Sequence, residues 1–133
     1  MFNLFNLFKH KKLSTKQLGD LGEKVALKYL QQQGYKFVAK NWKIKIGEID
    51  LIMFGEDKFI FVEVKTRYDS KLAKKMLFEN ITSRKLNKLK QLSINYLIYK
   101  FGHLHCPNYR IDVIAVLVEP NTHKTQIFYQ KGW

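Results

Sequence analysis

The chain has 133 residues, 46% of them hydrophobic and 14% aromatic, which is typical of one folded domain and excludes a disordered chain. Its 24 Lys and Arg residues against 11 Asp and Glu residues give a formal net charge of +13, which favours nucleic acid or another polyanion as the partner. The single cysteine, Cys106, excludes an internal disulfide and suits a reducing compartment, so we expect a cytoplasmic protein. No apolar run reaches about 18 residues, so we expect no stable membrane insertion.

Residues 1–13 are predicted to form a flexible or loosely docked arm before a single domain over residues 14–133. The arm begins MFNLFNLF, and the cations of residues 9–12 follow this apolar part. That order, together with the shortness of the apolar part, excludes a secretory signal. Attachment of the first eight residues to a partner or to a membrane surface is the alternative, in which the protein would be a basic adaptor.

Hydrophobic periodicity indicates two long helices and a set of strands. In chain order we predict a helix over 16–33, one irregular or two short strands over 35–46, hairpin strands over 47–54 and 58–65, a cationic loop with one turn of helix over 68–83, a helix over 83–99, and strands over 110–118 and 125–129. The strand over 110–118 is almost continuously apolar, so we expect it to be covered on both faces. This order of elements is that of an α/β domain.

The predicted hairpin can be given a register. A four-residue loop over Gly55–Lys58 would pair Phe54 with Phe59, and side chains then alternate between two faces along both strands. One face is expected to be purely apolar, with Ile49, Leu51, Met53, Ile60, Val62 and Val64.

The other face of the hairpin carries charges where a strand normally has none. The same register places Asp50 opposite Glu63 and Glu48 opposite Lys65. Two opposed carboxylates repel each other unless a proton or a cation lies between them, and Mg²⁺ needs only one or two carboxylates. The register therefore predicts a site for a hard divalent cation at Asp50 and Glu63.

Lys65 projects to the same face and could hold a water molecule or stabilise charge on a phosphate. The simpler interpretation is a solvent-facing strand of mixed charges. Phe54, Phe59 and Phe61 share this face, which indicates partial burial and argues against that interpretation.

The second long helix carries four cations in its first half, and cations at this end oppose the helix dipole. They are Arg84, Lys85, Lys88 and Lys90. A surface that faces phosphates explains this placement better than a merely solvated face does.

Other groups of residues give weaker support for a functional site. His103, His105 and Cys106 could contribute to a zinc site, but their spacing is cramped and a fourth ligand, His123 or His10, would have to come from elsewhere. Cys106 as a nucleophile would require a positioned base. Arg110 and Asp112 share one strand face, and we interpret them as a structural pair that supports the site.

Motifs along most of the chain, from residue 16 to 118, carry a resemblance. They are Gly22-Glu23, Ala26, Tyr29-Leu30, Gly34-Tyr35, Asn41-Trp42, Gly47-Glu48-Ile49-Asp50-Leu51-Ile52, Phe61-Val62-Glu63-Val64-Lys65-Thr66-Arg67 and Arg110-Ile111-Asp112-Val113. Together they resemble the YraN-like family of predicted bacterial endonucleases, which is distantly similar to archaeal Holliday junction resolvases and to the restriction-endonuclease-like PD-(D/E)XK superfamily. The resemblance implies an α/β fold with an αβββαβ core, in which helices flank a central mixed sheet.

The superfamily's motif can be carried over residue by residue. Its metal-binding aspartate matches Asp50, with Ile49 in the place of the proline, and its second acid and lysine match Glu63 and Lys65. The helical glutamate of such sites matches Glu23, which spacing alone would assign to a solvated flank of the first helix. The chain departs from the family's pattern in the loop at residues 71–75, where a glycine is expected.

The resemblance implies a Mg²⁺-dependent or Mn²⁺-dependent endodeoxyribonuclease that acts on DNA, including branched or single-stranded intermediates. Asp50, Glu63 and the carbonyl of Val64 would hold the ion, and Lys65 would position or activate water. Glu23 would hold a second ion or a water of the first.

Binding of the nucleic acid is expected from Arg67, Arg84, Lys85 and Lys88, with Glu48, Arg110 and Asp112 in supporting positions. Such contacts to the phosphate backbone give strongly salt-dependent binding with little sequence preference. Resolvase-like relatives often work as pairs, so a homodimer is one arrangement to test. The alternative function is a non-catalytic nucleic-acid-binding protein that keeps the nuclease fold.

Overall fold

The structure is a computed structural model that describes residues 11–133. Its elements are α1 (Thr15–Gln32), β1 (Lys36–Ile44), β2 (Gly47–Gly55), β3 (Lys58–Tyr68), α2 (Lys71–Lys75), α3 (Ser83–Phe101), β4 (Tyr109–Val118) and β5 (Thr125–Gln130). The five strands form one sheet in the order β1-β2-β3-β4-β5. Pairing is antiparallel except between β3 and β4, which run parallel and are joined through α3. The predicted α/β fold with helices flanking a mixed sheet is confirmed.

Each face of the sheet is covered by one long helix. Ala26 and Leu30 of α1 pack with Leu51 and Val62 in one core cluster. Leu89 of α3 packs in a second cluster, whose other buried members are Ile49, Ile52, Phe59, Phe61, Leu92, Tyr96, Leu97 and Ile111. β4 lies between the two layers, and all of its residues from Ile111 to Val118 are buried, as its continuous apolar run predicts.

The hairpin register predicted from the sequence is confirmed for the apolar pairs. Phe54 lies opposite Phe59 and Ile52 opposite Phe61. The predicted pairs Asp50–Glu63 and Glu48–Lys65 are not part of the ladder, which ends at Leu51 and Val62. The prediction that Ile49 shares a face with Leu51 is wrong. Ile49 packs in the α3-side cluster, because the strict alternation of side chains breaks between Ile49 and Ile52.

Helix α1 begins at a capping box, in which the Ser14 hydroxyl accepts a hydrogen bond from the Gln17 amide and the Gln17 side chain accepts one from the Ser14 amide. The middle of the helix approaches the sheet closely at Gly22. A Cβ atom there would lie 1.7 Å from the Thr66 Oγ1 atom. Only a glycine allows this approach, which sets the position of Glu23, the next residue.

The cationic loop contains the short helix α2, which agrees with the predicted turn of helix. Of the predicted arm, residues 1–10 lie outside the described residues, and the amide of Leu13 donates to the Tyr68 hydroxyl at 2.7 Å. Within residues 11–133, no helix has the length and apolar character that a membrane crossing requires.

Candidate active site

The candidate site is built around the point where β2 and β3 stop pairing. The last residue pair of their ladder is Leu51 with Val62. Beyond this pair, the Asp50 side chain replaces the β2 backbone as the hydrogen-bond partner of β3. Its Oδ2 atom accepts a hydrogen bond from the Val64 amide at 2.8 Å. The carboxylate therefore occupies the opening between the strands.

Two further acids converge on Asp50. Ligand oxygens of Glu23, Glu48 and Asp50 all lie within 4.8 Å of one another, which brings α1 and β2 together at one point. Asn41 of β1 joins the group: in the orientation that satisfies its amide, the nitrogen donates to Glu48 Oε1 at 3.0 Å and to Glu23 Oε2 at 3.1 Å. The amide thus holds two of the acids in place.

The carboxyl groups of Asp50 and Glu23 resist ionisation in this arrangement. Burial, the negative charge of Glu63 and the charges of Glu23 and Glu48 raise the pKa of Asp50 to about 7, against the lowering effect of the Val64 hydrogen bond. Burial and the charge of Glu48 raise the pKa of Glu23 as well. The group therefore needs a proton or a cation to balance its charge.

Glu63 and Lys65 are neighbours on the side of the sheet that faces α3. The Lys65 Nζ atom lies 3.2 Å from Glu63 Oε1, and both side chains are about one-fifth exposed. The Glu63 side chain lines a cavity of about 190 Å³ whose walls are both charged and apolar. Its lining residues are Glu48, Glu63, Ile81, Lys85, Lys88, Leu89 and Leu92.

Helix α3 contributes the cationic wall of this cavity. The charge of Lys65 lowers the pKa of Lys85, which places these two ammonium groups near each other. The Lys88 side chain crosses Gly47, where an added Cβ atom would lie 2.9 Å from Lys88 Cε. Arg84 lines a second cavity with Lys88, and Arg67 of β3 also acts on Lys85 through its charge.

Arg110 and Asp112 form a structural pair, as predicted, but they belong to a different network. Asp112 is fully buried, and the Arg110 guanidinium donates to both of its oxygens at 2.7 and 2.8 Å. Arg110 also binds Glu56 of the β2–β3 turn at 2.6 Å, and Tyr129 donates to Asp112. Their contacts tie the hairpin turn to β4 and β5, and none of these contacts reaches the acids around Asp50.

The sequence interpretation missed Asn41 as a site residue. Asn41 lies between the pairs Lys40–Leu51 and Trp42–Ile49, and therefore faces Asp50 across the β1–β2 ladder. Its φ of 51° is unusual inside a strand and is tolerated by asparagine. An asparagine among the alternating residues of 35–46 is the signal that could have identified it.

Among the described residues, the potential metal ligands that come together are the carboxylates. Within residues 11–133, His103, His105 and Cys106 do not form a group of three ligands within 4.8 Å of one another, so this part of the chain does not support the zinc alternative. Oxygen ligands at a partly buried position suit Mg²⁺ or Mn²⁺ rather than zinc. Because the N–H and C=O of one strand residue point the same way, the Val64 carbonyl points toward the β2 side of β3. The three carboxylates that come together suit a hard divalent cation, but Glu63, the second acid predicted to hold the ion, is not a member of this group.

Comparison with known proteins identifies the family. Residues 22–116 match the family described as "Uncharacterised protein family UPF0102". A UPF0102 protein of Syntrophomonas wolfei is 37% identical over 110 residues, which cover 83% of this chain and 92% of the relative. A relative from Clostridioides difficile is 40% identical over 104 residues, covering 78% and 88%, and one from Aliivibrio fischeri is 35% identical over 106 residues, covering 80% and 85%. The chain belongs to the UPF0102 family, which is the YraN-like family that its motifs resemble.

Proposed function

We propose that the protein is a metal-dependent endonuclease that hydrolyses phosphodiester bonds in DNA, including branched or single-stranded intermediates. The observation that carries the proposal is the convergence of Glu23, Glu48 and Asp50 at the end of the β2–β3 ladder. Glu63, whose charge acts on Asp50, forms an ion pair with Lys65. Acids so close together, with a pKa of about 7 at Asp50, are stabilised by a bound cation.

The ion would be held by Asp50, Glu63 and the Val64 carbonyl, with Glu23 holding a second ion or a coordinated water. Bound Mg²⁺ or Mn²⁺ supplies a Lewis acid for a phosphoryl oxygen and lowers the pKa of a bound water. Glu48 and Asn41 keep Glu23 oriented toward the centre through the amide bridge.

Lys65 has the role of the positioning cation. Its ion pair with Glu63, at 3.2 Å, holds the ammonium group beside the acids, where it can orient a water by hydrogen bonding or balance the charge that develops on the phosphate. Lys85 and Lys88 line the same side of the cavity and would hold the flanking phosphates. The protein's net charge of +13 supports a polyanionic substrate.

A cleavage assay tests the proposal. The wild-type protein is incubated with flap, branched and single-stranded DNA in Mg²⁺ or Mn²⁺, alongside Asp50→Asn and Lys65→Ala. We expect the wild type to cut at least one substrate and both variants to lose at least about 100-fold in rate while still binding DNA. Asp57→Asn in the β2–β3 turn and Lys124→Ala after β4 are exposed controls that should cut normally.

Absence of cleavage by a folded, metal-loaded wild type would leave the non-catalytic nucleic-acid-binding protein as the function. Equal cleavage by Asp50→Asn would show that the activity comes from elsewhere, including a contaminating nuclease. Retained DNA binding in both variants separates a catalytic role of these side chains from a role in folding.

A further inference from the structure

We propose that the surface of α3 beside β1 binds a single-stranded segment of nucleic acid and that Tyr99 stacks on one of its bases. The inference rests on the proposed function, because it specifies the substrate class of that same site. It concerns a surface that lies beyond the carboxylates and that none of the catalytic roles above uses.

The central observation is an exposed aromatic ring that lies next to two others. Tyr99 is 75% exposed, yet its ring lies 6.3 Å from Trp42 and 6.5 Å from Tyr96, measured between ring centroids. Trp42 and Tyr96 in turn pack edge to face at 5.3 Å. The two inner rings flank Tyr99 and leave much of its surface open to a ligand, as in proteins whose aromatic side chains stack on unpaired bases.

Helical spacing places this ring on the face of α3 that leads from the candidate active site. The cavity next to the site and a larger cavity of about 620 Å³ share Lys88 as a lining residue. The larger cavity runs between α3 and the β1–β2 turn, where its walls are Ile46, Arg84, Asn87, Lys88 and Gln91. From there, Lys88, Asn95 and Tyr99 follow one face of α3 at spacings of seven and four residues, over about 16 Å at a rise of about 1.5 Å per residue.

Charge identifies the ligand class. Neither α3 (Ser83–Phe101) nor β1 (Lys36–Ile44) contains an Asp or Glu residue. The cations of α3 are Arg84, Lys85, Lys88, Lys90 and Lys100, and those of β1 are Lys36, Lys40 and Lys43. Lys40 pairs with Leu51 of the α1-side cluster and so lies on the opposite face of the sheet. A phosphate backbone that leaves the cavity along α3 therefore meets the positive charge of α3 and no acid of either element.

The combination of cations with an open ring favours single strands over duplexes. In a duplex the bases stack on one another and present only their edges to the grooves. An aromatic side chain stacks on a base only where that base has no neighbour on one side, as in a single strand, a flap or a branch point. The shared chemistry is an unpaired base with its phosphates, in DNA or in RNA.

Binding measured without divalent metal tests the inference independently of cleavage. Fluorescence anisotropy in EDTA compares a labelled 20-nucleotide single strand, as DNA and as RNA, with the DNA duplex of the same sequence. Tyr99→Ala is expected to weaken single-strand binding by about 5- to 100-fold and duplex binding by less than about 2-fold. Tyr99→Phe retains the ring and should bind as the wild type does.

Phe37→Ala is the matched control, because Phe37 is 44% exposed on β1 but pairs with Met53 of the α1-side cluster, on the opposite face of the sheet. It should leave single-strand binding unchanged, and thermal unfolding should show that Tyr99→Ala is folded. A loss confined to the DNA strand or to the RNA strand supports the inference and identifies the sugar.

Three results would overturn the inference: unchanged single-strand binding by Tyr99→Ala, an equal loss on the duplex, or a loss in Tyr99→Phe as large as in Tyr99→Ala. Competition by polyglutamate as strong as by single-stranded DNA would also overturn it, in favour of an acidic protein partner. The proposed function fails separately: a wild type that never cuts but needs Tyr99 for single strands keeps this inference and loses the catalytic one.

Discussion

The Asp50 carboxylate acts as the strand partner of Val64: it accepts the Val64 N–H at 2.8 Å, beyond the last residue pair of the β2–β3 ladder. The hydrogen bond satisfies a backbone donor that the separating strands would otherwise leave unpaired. It also fixes a carboxylate in a partly buried opening, where ionisation is unfavourable without a cation. This hydrogen bond therefore both satisfies the β3 backbone and positions the carboxylate of the candidate site.

The raised pKa of Asp50 predicts a pH-dependent stability of the metal-free protein. Burial and Glu63 raise this pKa from 3.8 to about 7, so the folded state binds a proton between these values that the unfolded state has released. The contribution to stability is full below about pH 4 and is lost as pH rises through about 7. Asp50→Asn removes the titration and should gain about 2–4 kcal/mol relative to the wild type between pH 4 and pH 8.

Urea unfolding in EDTA at pH 4, 6 and 8 measures this difference. Asp57→Asn, an exposed substitution of the same chemistry in the hairpin turn, should show no such trend. A wild type and an Asp50→Asn variant whose difference is constant from pH 4 to 8 would mean that Asp50 titrates normally.

The raised pKa of Asp50 also predicts how metal affinity varies with pH. A cation must displace the proton from Asp50, so Mn²⁺ binding should tighten as pH rises from 6 to 8 and should release protons into the buffer. Calorimetry in two buffers of different ionisation enthalpy measures the proton release. Asp50→Asn and Glu23→Gln should weaken binding by at least about tenfold, whereas Glu79→Gln, an exposed acid outside the cluster, should not. Binding that is independent of pH and of Asp50 would place the ion elsewhere.

How far the sequence predicts this protein depends on whether a feature is local. The pairing of Phe54 with Phe59 follows from a short-range pattern and is confirmed. The face predicted for Ile49 is wrong. Its alternation with Leu51 continues in the sequence, while the β2–β3 ladder ends at Leu51 in the structure.

The positions of the acids in the site also depend on contacts that are not local in the sequence. Helical spacing puts Glu23 on a solvated flank, and only the family resemblance indicated a role for it. Its place beside Glu48 and Asp50 depends on how closely α1 approaches β3 at Gly22, a tertiary contact that no helical pattern contains. Asn41 was missed for a similar reason, since its partners lie on α1 and β2.

The close approach at Gly22 predicts opposite effects for two substitutions in one helix. Gly22→Ala would place a methyl group 1.7 Å from Thr66 Oγ1, so α1 must move away from β3, and we expect a loss of about 1–3 kcal/mol in stability. Gly19→Ala meets no atom within 4 Å and should stabilise the helix by about 0.5–1 kcal/mol. Thermal and urea unfolding measure both.

Gly22→Ala should also reduce Mn²⁺ affinity, because Glu23 moves with the helix, whereas Gly19→Ala should leave that affinity unchanged. Two alanine variants of equal stability would contradict the contact between α1 and β3. An unstable Gly22→Ala that still binds Mn²⁺ as the wild type does would show that Glu23 is not needed at the centre.

Breaking the Arg110–Asp112 pair is predicted to cause a large loss of stability without a loss of metal affinity. Arg110→Met leaves the fully buried Asp112 carboxylate without its cation, and we expect a loss of about 3 kcal/mol in unfolding free energy. Lys131→Met removes the other cation that binds Glu56, at an exposed position, and should change stability little. At a temperature where Arg110→Met is folded, its Mn²⁺ affinity should equal that of the wild type, and a reduced affinity would tie the pair to the site.

The cations of α3 predict how binding responds to salt. Lys88 lines both cavities and carries no ion pair in the described part of the chain, so it is free to contact a phosphate. Lys88→Gln should weaken binding of single-stranded and duplex DNA alike and reduce the slope of log affinity against log salt concentration by about 1. Lys28→Gln, an exposed lysine of α1 on the opposite layer, should change neither quantity. A slope that stays the same in Lys88→Gln would mean that the nucleic acid does not pass between the two cavities, and a slope that falls equally in Lys28→Gln would mean that net charge alone, rather than this surface, controls binding.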